Sequence, residues 1–356
     1  MSTIKELAPA QSLNGTTPIA HLPGERIVVA PSGRAHRVFT VATARAPRQA
    51  LKPVVEGLFM PGSVYIVVGP GGVGKTYAMC DLAVCFAMRK HWLGRECEGG
   101  GVLVIDEQNG PRRMSDRIKE TLDAHGAADD TPIHYESLAK YNFFGRGADE
   151  SAADLTYLIR LLGVKLVIVD SLTNVIRGAE ERDNDAMRDA IETLRIVAAA
   201  TDACIIVLHH TNKLNEFRGA TNIRDQADGM LACAKDSSDK STIIFETAKA
   251  RDLPDVRFAA QMNFEPGRFW LSTREVQHKL SDSEAWLVEQ LRRAGGWVEL
   301  SKLQAKAKKS GELSPATVRK AASSLRARGI VEREEEQSSI GEVVKYRLST
   351  KYASQK

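Results

Sequence analysis

One stretch limits this chain more than any other: Gly69-Pro70-Gly71-Gly72-Val73-Gly74-Lys75-Thr76. It reads G-x-x-x-x-G-K-T. It lies between an apolar β-branched run, Val64-Tyr65-Ile66-Val67-Val68, and a stretch of helical spacing from Thr76 to Met88. A strand that ends in a glycine-rich turn and opens a helix aims successive backbone N–H groups at one point, where the helix dipole also favours negative charge. The pattern predicts a loop that cradles the phosphates of a nucleotide such as ATP. Gly69, Pro70, Gly71, Gly72, Val73, Gly74, Lys75, Thr76 and Tyr77 would surround it, with Lys75 on the terminal phosphates and Thr76 on Mg2+.

The flanking sequence fits such a loop. Val102–Ile105, Lys165–Val169 and Cys204–Leu208 are further unbroken apolar runs. Segments of helical period separate them: Pro111–His125, Leu155–Leu162 and Asn184–Ala199. Apolar strands alternating with helices predict an α/β fold whose mostly parallel central sheet is covered on both faces. Gly229–Ala234, Thr242–Glu246 and Gly267–Leu271 read as additional strands. Residues 51–275 are therefore expected to form the nucleotide-binding domain. Residues 1–50 show no sustained period and read as a flexible arm.

Polar residues at strand ends carry the chemistry expected of such a domain. Asp170 ends the third strand, where a carboxylate can hold Mg2+. Asp106-Glu107 ends the second, and Glu107 is the expected base for the attacking water; the competing reading is an acidic pair that caps the next helix. His209-His210 ends the fourth strand. Two adjacent histidines without a third ligand make a poor metal site. His210 is instead expected to contact the γ-phosphate. Lys249 and Arg251 stand one residue apart on an extended segment and so point the same way. They could reach a neighbouring subunit's γ-phosphate; otherwise they are a solvated surface pair.

Composition enters through its unevenness. The net charge of +4 divides into +4 over residues 1–50, −5 over 51–280 and +5 over 281–356. Basic ends on a mildly acidic body point to a polyanion. Residues 281–350 read as three helices and a β-hairpin, a small winged helix-turn-helix, with 351–356 as a tail. Ser314-Pro315 is a good start for its recognition helix. Lys302, Thr317, Arg319, Lys320 and Arg326 are the candidate DNA contacts there, with Ser314 and Ser324 on the same helix. The run Glu334-Glu335-Glu336 in the wing opposes phosphate contact, and a protein-docking role is the alternative. The five cysteines show no CxxC pair or zinc spacing and read as buried reduced thiols. No apolar run approaches the roughly 20 residues of a membrane span, and no signal peptide is evident, so a cytoplasmic protein is expected.

Taken together, the phosphate loop, Glu107, Asp170-Ser171-Leu172, Asn184-Asp185, Leu208-His209-His210-Thr211-Asn212-Lys213, Arg218-Gly219-Ala220, Asp228 and Lys249-x-Arg251 resemble the RecA-fold ATPases. The nearest likeness is to the RepA-like hexameric replicative helicases of plasmids and phages. The resemblance spans about Leu51 to Leu271. It implies a homohexameric ring with ATP at subunit interfaces and single-stranded DNA in a central channel. It also places Lys213, Arg218 and Arg224 in a channel-facing loop, with contact to nucleotide across the interface as the alternative for Arg218. The acidic loop Arg177–Asp183 departs from a simple DNA-gripping loop. A recombination or strand-annealing ATPase, and a nucleotide-switched DNA-binding regulator, are the other readings that these residues allow.

Overall fold

The computed structural model describes residues 26–30, 35–47, 51–179, 183–211, 226–237, 239–251, 253–274, 280–327, 329–338, 341–349 and 352. The chain divides into two units, Met1–Lys52 and Pro53–Lys356. In the first, β1 (Arg26–Val29) pairs antiparallel with β2 (Ala35–Val38), and the short helix α1 (Val41–Arg45) follows. The arm expected over residues 1–50 thus holds a short hairpin and a short helix among its described residues. The β-branched run Ile27-Val28-Val29 finds a partner strand only nine residues away, which makes closing the hairpin cheap.

The second unit opens with the strand–loop–helix expected from the sequence: β3 (Val64–Pro70) and α2 (Lys75–Ala87). Then come β4 (Gly101–Asp106), α3 (Pro111–His125), β5 (Ile133–Ser137), α4 (Ala148–Leu161), β6 (Val164–Asp170), α5 (Asn184–Thr201) and β7 (Cys204–Thr211). Strands β8 (Gly229–Lys235), β9 (Thr242–Ala250), β10 (Arg257–Glu265) and β11 (Arg268–Arg274) complete one nine-stranded sheet. Its order is β11-β10-β9-β8-β3-β7-β6-β4-β5. The six strands from β8 to β5 run parallel, and β9, β10 and β11 are antiparallel additions. The fold is thus α/β with a mostly parallel sheet, as the apolar runs predict.

Alternation along β3 divides the core between the two faces. Tyr65 and Val67 join one apolar cluster with Met79, Leu82 and Phe86 of α2 and Met114 of α3. Val64, Ile66 and Val68 join another with Leu155 of α4 and Ile191 and Leu194 of α5. All five cysteines are buried. Among the described residues no helix is long and apolar enough to cross a membrane.

Besides β1 and β2, three strands are not expected from the sequence. β5 is the sheet's edge, and its residues Ile133-His134-Tyr135-Glu136-Ser137 are half-buried or exposed. β10 mixes Gln261 and Asn263 among apolar residues, and β12 (Val298–Glu299) has only two residues. α4 also begins at Ala148, well before Leu155.

Residues 281–348 form α6 (Asp282–Ala294), β12 (Val298–Glu299), α7 (Leu300–Ser310), α8 (Pro315–Ala327), β13 (Val331–Ser338) and β14 (Gly341–Leu348). Ser281 caps α6 through the Glu284 N–H, while Glu284 Oε2 accepts from the Ser281 N–H. This reciprocal capping box satisfies two N–H groups left over at the helix start. The strands form a separate antiparallel sheet, β12-β14-β13. Leu287, Leu291, Leu303, Val318, Leu325, Ile330 and Tyr346 bury a third apolar cluster. Each such aliphatic side chain contributes on the order of 1.5–3 kcal/mol.

Candidate nucleotide-binding site

Parallel register brings the predicted polar residues to one edge of the sheet. Gly69 stands opposite His210 and Pro70 opposite Thr211, while Asp170 stands opposite both Asp106 and Leu208. Pro70, Asp106, Asp170 and Thr211 are the last residues of their strands, at the carboxyl edge where open α/β sheets bind ligands.

The loop's geometry depends on its glycines at two places. A Cβ on Gly69 would lie 2.3 Å from the Cys233 carbonyl oxygen of β8, so only hydrogen fits there. Gly74 has φ +107° and caps α2, and a Cβ on it would lie 2.9 Å from Ile243 Cδ1 and from Met262 Sδ. The loop is thereby seated on β8, β9 and β10, with its helix end facing the edge.

Lys75 is 5% exposed. Its ammonium donates to the Gly69 and Pro70 carbonyls at 2.8 and 3.1 Å and lies 3.0 Å from His210 Nδ1. Burial lowers its pKa, against the raising effects of Cys233 and Asp170. His210 Nε2 in turn lies 3.3 Å from Gln108 Oε1. A continuous polar path therefore joins the loop's cation, the end of β7 and the segment after β4. Beside it, His209 is held well below the usual histidine range, at about 4, by burial and by the neighbouring His210 and Lys75. Its buried Nδ1 has no hydrogen-bond partner.

Thr76 Oγ1 donates to Asp170 Oδ2 at 2.6 Å. Asp170 is 2% exposed, and burial raises its pKa, only partly offset by the Thr76 hydrogen bond. A hydroxyl and a carboxylate joined at the mouth of a phosphate loop are the hard oxygen donors that suit Mg2+. Asn109 Nδ2 also reaches Asp170 Oδ2 at 3.4 Å.

Asp106 and Glu107 have separate tasks. Asp106 accepts from the backbone N–H groups of Gln108, Asn109 and Gly110 and from Ser137 Oγ. It shapes the turn that leads into α3, whose N-cap residue, Gly110, makes no side-chain cap. Glu107 points its buried carboxylate elsewhere: Oε1 accepts from the Tyr141 N–H at 3.0 Å and Oε2 from Arg177 Nη2 at 2.8 Å. Arg177 was not singled out in the sequence. It lies seventy residues from Glu107, and nothing local marks the pair.

Tyr77 is engaged away from the loop. Its hydroxyl donates to Glu120 Oε2, and its ring packs on Phe264 and Phe269 beneath the Arg117 guanidinium. What remains for a nucleotide is its backbone.

Lys249 and Arg251 lie at the opposite edge. Gly229 of β8 pairs with Tyr65 of β3 and with Ala250, so the end of β9 sits beside the start of β3. Lys249 donates to the Ala227 carbonyl at 2.9 Å, and Arg251 Nη1 lies 3.4 Å from Asp228 Oδ1. Asp228 Oδ2 accepts from the Val64 N–H, and six residues of strand, about 20 Å, separate Val64 from Pro70. The two cations do not join their own chain's loop. Lys213, Arg218 and Arg224 lie outside the described residues.

In the C-terminal segment Lys302, Arg319, Lys320 and Arg326 are exposed. Lys302 pairs with Glu299. Thr317 is engaged by the α8 cap, its N–H donating to Ser314 Oγ, and Ser324 donates to Glu284 Oε1. Those serines serve the fold. The acidic wing is offset across the hairpin, where Lys345 meets Glu336 and Arg347 meets Glu332.

The profile of the AAA domain family matches residues 31–216. The chain belongs to this family, a class of P-loop proteins whose domain implies nucleotide binding. A DNA helicase/primase of Enterobacteria phage T3 is 22% identical over 249 residues, covering 59% of this chain and 42% of the phage protein. The chain thus corresponds to less than half the length of that relative.

Proposed function

We propose that this protein is an ATP-driven DNA motor of the replicative helicase type, working as a ring of identical subunits. The observation that carries the reading is the division of polar residues between the two sheet edges. Lys75, Thr76, Asp170 and His210 gather at one edge, while Lys249 and Arg251 stand about 20 Å away along the strands at the other. Cations so placed cannot reach their own chain's loop, which supports a reading in which they serve a neighbour's site rather than form a surface pair. The likeness to a phage helicase/primase supports DNA as the track.

In this reading Lys75 exchanges its carbonyl partners for the terminal phosphates, and the backbone N–H groups at the start of α2 hold the rest of the chain of phosphates. Thr76 and Asp170 hold Mg2+, which when bound neutralises charge developing on the phosphate oxygens. Glu107 takes the proton of the attacking water. His210, between Lys75 and Gln108, couples the state of the phosphate site to the segment after β4. Residues 281–348 have the element order of a winged helix. α8 presents Arg319, Lys320 and Arg326 to duplex DNA, and Lys302 adds charge at the start of α7.

The test is unwinding of a forked duplex with ATP and Mg2+, with Lys75→Ala as the control. Lys75→Ala removes charge-assisted hydrogen bonds worth about 1.5–3 kcal/mol each, so nucleotide affinity should fall on the order of 10- to 100-fold or more. Strand displacement by the wild type and none by the variant is expected. DNA-stimulated hydrolysis without displacement would instead mark a filament-forming ATPase.

A further inference from the structure

Glu107 is the residue on which hydrolysis rests in the proposed reading, yet each of its oxygens already accepts a hydrogen bond. Oε1 accepts from the Tyr141 N–H and Oε2 from Arg177 Nη2, and the side chain is fully buried. A carboxylate so engaged is turned toward these two donors, and a charge-assisted bond to a guanidinium resists its swinging toward a water elsewhere. Arg177 is itself tied in place: Nε donates to the Tyr141 carbonyl, and its backbone N–H donates to Asn142 Oδ1. The strap that carries Tyr141 is stitched to the same segment by the Phe143 N–H on the Val175 carbonyl. Glu107 is therefore held by two pieces of chain that are bound to each other and separate from the phosphate loop.

The two partners differ in access. Glu107 shows none of its side chain to solvent, whereas Arg177 shows 44% of its own. An anion can therefore reach the guanidinium without first reaching the carboxylate. A guanidinium bound to one carboxylate oxygen is open to exchange with a phosphate, which offers a matching fork of acceptors.

We infer that Arg177 is a positioning residue that keeps Glu107 withdrawn, and that a nucleic-acid phosphate competing for Arg177 releases Glu107 for catalysis. The inference rests on the proposed role of Glu107 and adds what controls it. Arg177 acts through Glu107 and touches no reacting atom. It ties hydrolysis to the presence of a single strand, and limits idle turnover when nucleotide alone is bound.

The experiment measures steady-state ATP hydrolysis by the full chain with and without single-stranded DNA. In Arg177→Ala the DNA-free kcat should rise about tenfold or more with KM for ATP unchanged, and the stimulation by DNA should shrink toward unity. Arg177→Lys keeps a cation in the buried pair and loses the fork, so it guards against misfolding of the alanine variant. It should show the same change to a smaller degree. Unchanged DNA-free kcat in both variants, with stimulation intact, overturns the inference. Proportional loss of both rates in the lysine variant does so too, because a merely structural arginine would behave that way. Glu107→Gln separates the two levels. If Glu107→Gln retains hydrolysis, the assignment of the base fails. If it abolishes hydrolysis while the Arg177 variants behave as wild type, only the latch fails.

Discussion

Side chains at the mouth of the phosphate loop serve the site in three different ways. Lys75 already meets His210, and the Thr76 hydroxyl already meets Asp170. Asp106 holds the turn that follows it. His209 is kept neutral by burial beside two potential cations. That last feature has a measurable cost in acid. The folded protein binds a proton on His209 only near pH 4, while the unfolded chain binds one near 6.5. The stabilising contribution is thus complete above pH 6.5 and is lost as pH falls toward 4. It amounts to about 3 kcal/mol at most. Thermal melts from pH 7 to pH 4 should therefore fall more steeply for the wild type than for His209→Gln. Parallel curves would refute the role of His209. The loop, Asp170 and His210 were legible because each ends an apolar run. The Glu107–Arg177 pair was not, since it depends on how two distant loops meet. Nor was the assignment of Asp106 rather than Glu107 to the turn before α3, because adjacent carboxylates look alike until the backbone turn is known.

At the level of elements, legibility follows burial. β3, β4, β6 and β7 lie in the middle of the sheet, buried on both faces, and read as unbroken apolar runs. β5 and β10 lie toward the margins, where polar residues can alternate with apolar ones and blur the signal. Of the C-terminal helices, α8 was marked in the sequence by Ser314-Pro315; α6 is capped by Ser281, and Gly295 and Gly311 close α6 and α7. If α8 contacts phosphates as proposed, Arg319 and Lys320 each release a counterion on binding. The double variant Arg319→Ala/Lys320→Ala should weaken duplex binding and reduce the slope of log affinity against log salt by about two. An unchanged slope would turn the reading of this segment toward protein docking.

For the whole molecule, the separation of Lys249 and Arg251 from the phosphate loop makes a strong demand. Arg251→Ala and Glu107→Ala should each bind nucleotide and hydrolyse it poorly. Mixed in equal amounts, they should regain activity wherever an intact Glu107 faces an intact Arg251, at about a quarter of interfaces. Failure to recover any hydrolysis in exchanged mixtures would show that Arg251 serves its own subunit or none.

The strand that carries those cations also touches the loop. Ile243, at the start of β9, packs so closely on Gly74 that a methyl group would not fit between them. Lys249 lies six residues further along the same strand, about 20 Å away. β9 is hydrogen-bonded to β8 along this span, with one register irregularity beside Lys249, and to β10 as far as Glu246. If nucleotide moves the loop, β9 joins it directly to the Lys249 end. Within the proposed ring that end would face the next subunit, and the length of a single β-strand would then set the step between neighbouring sites.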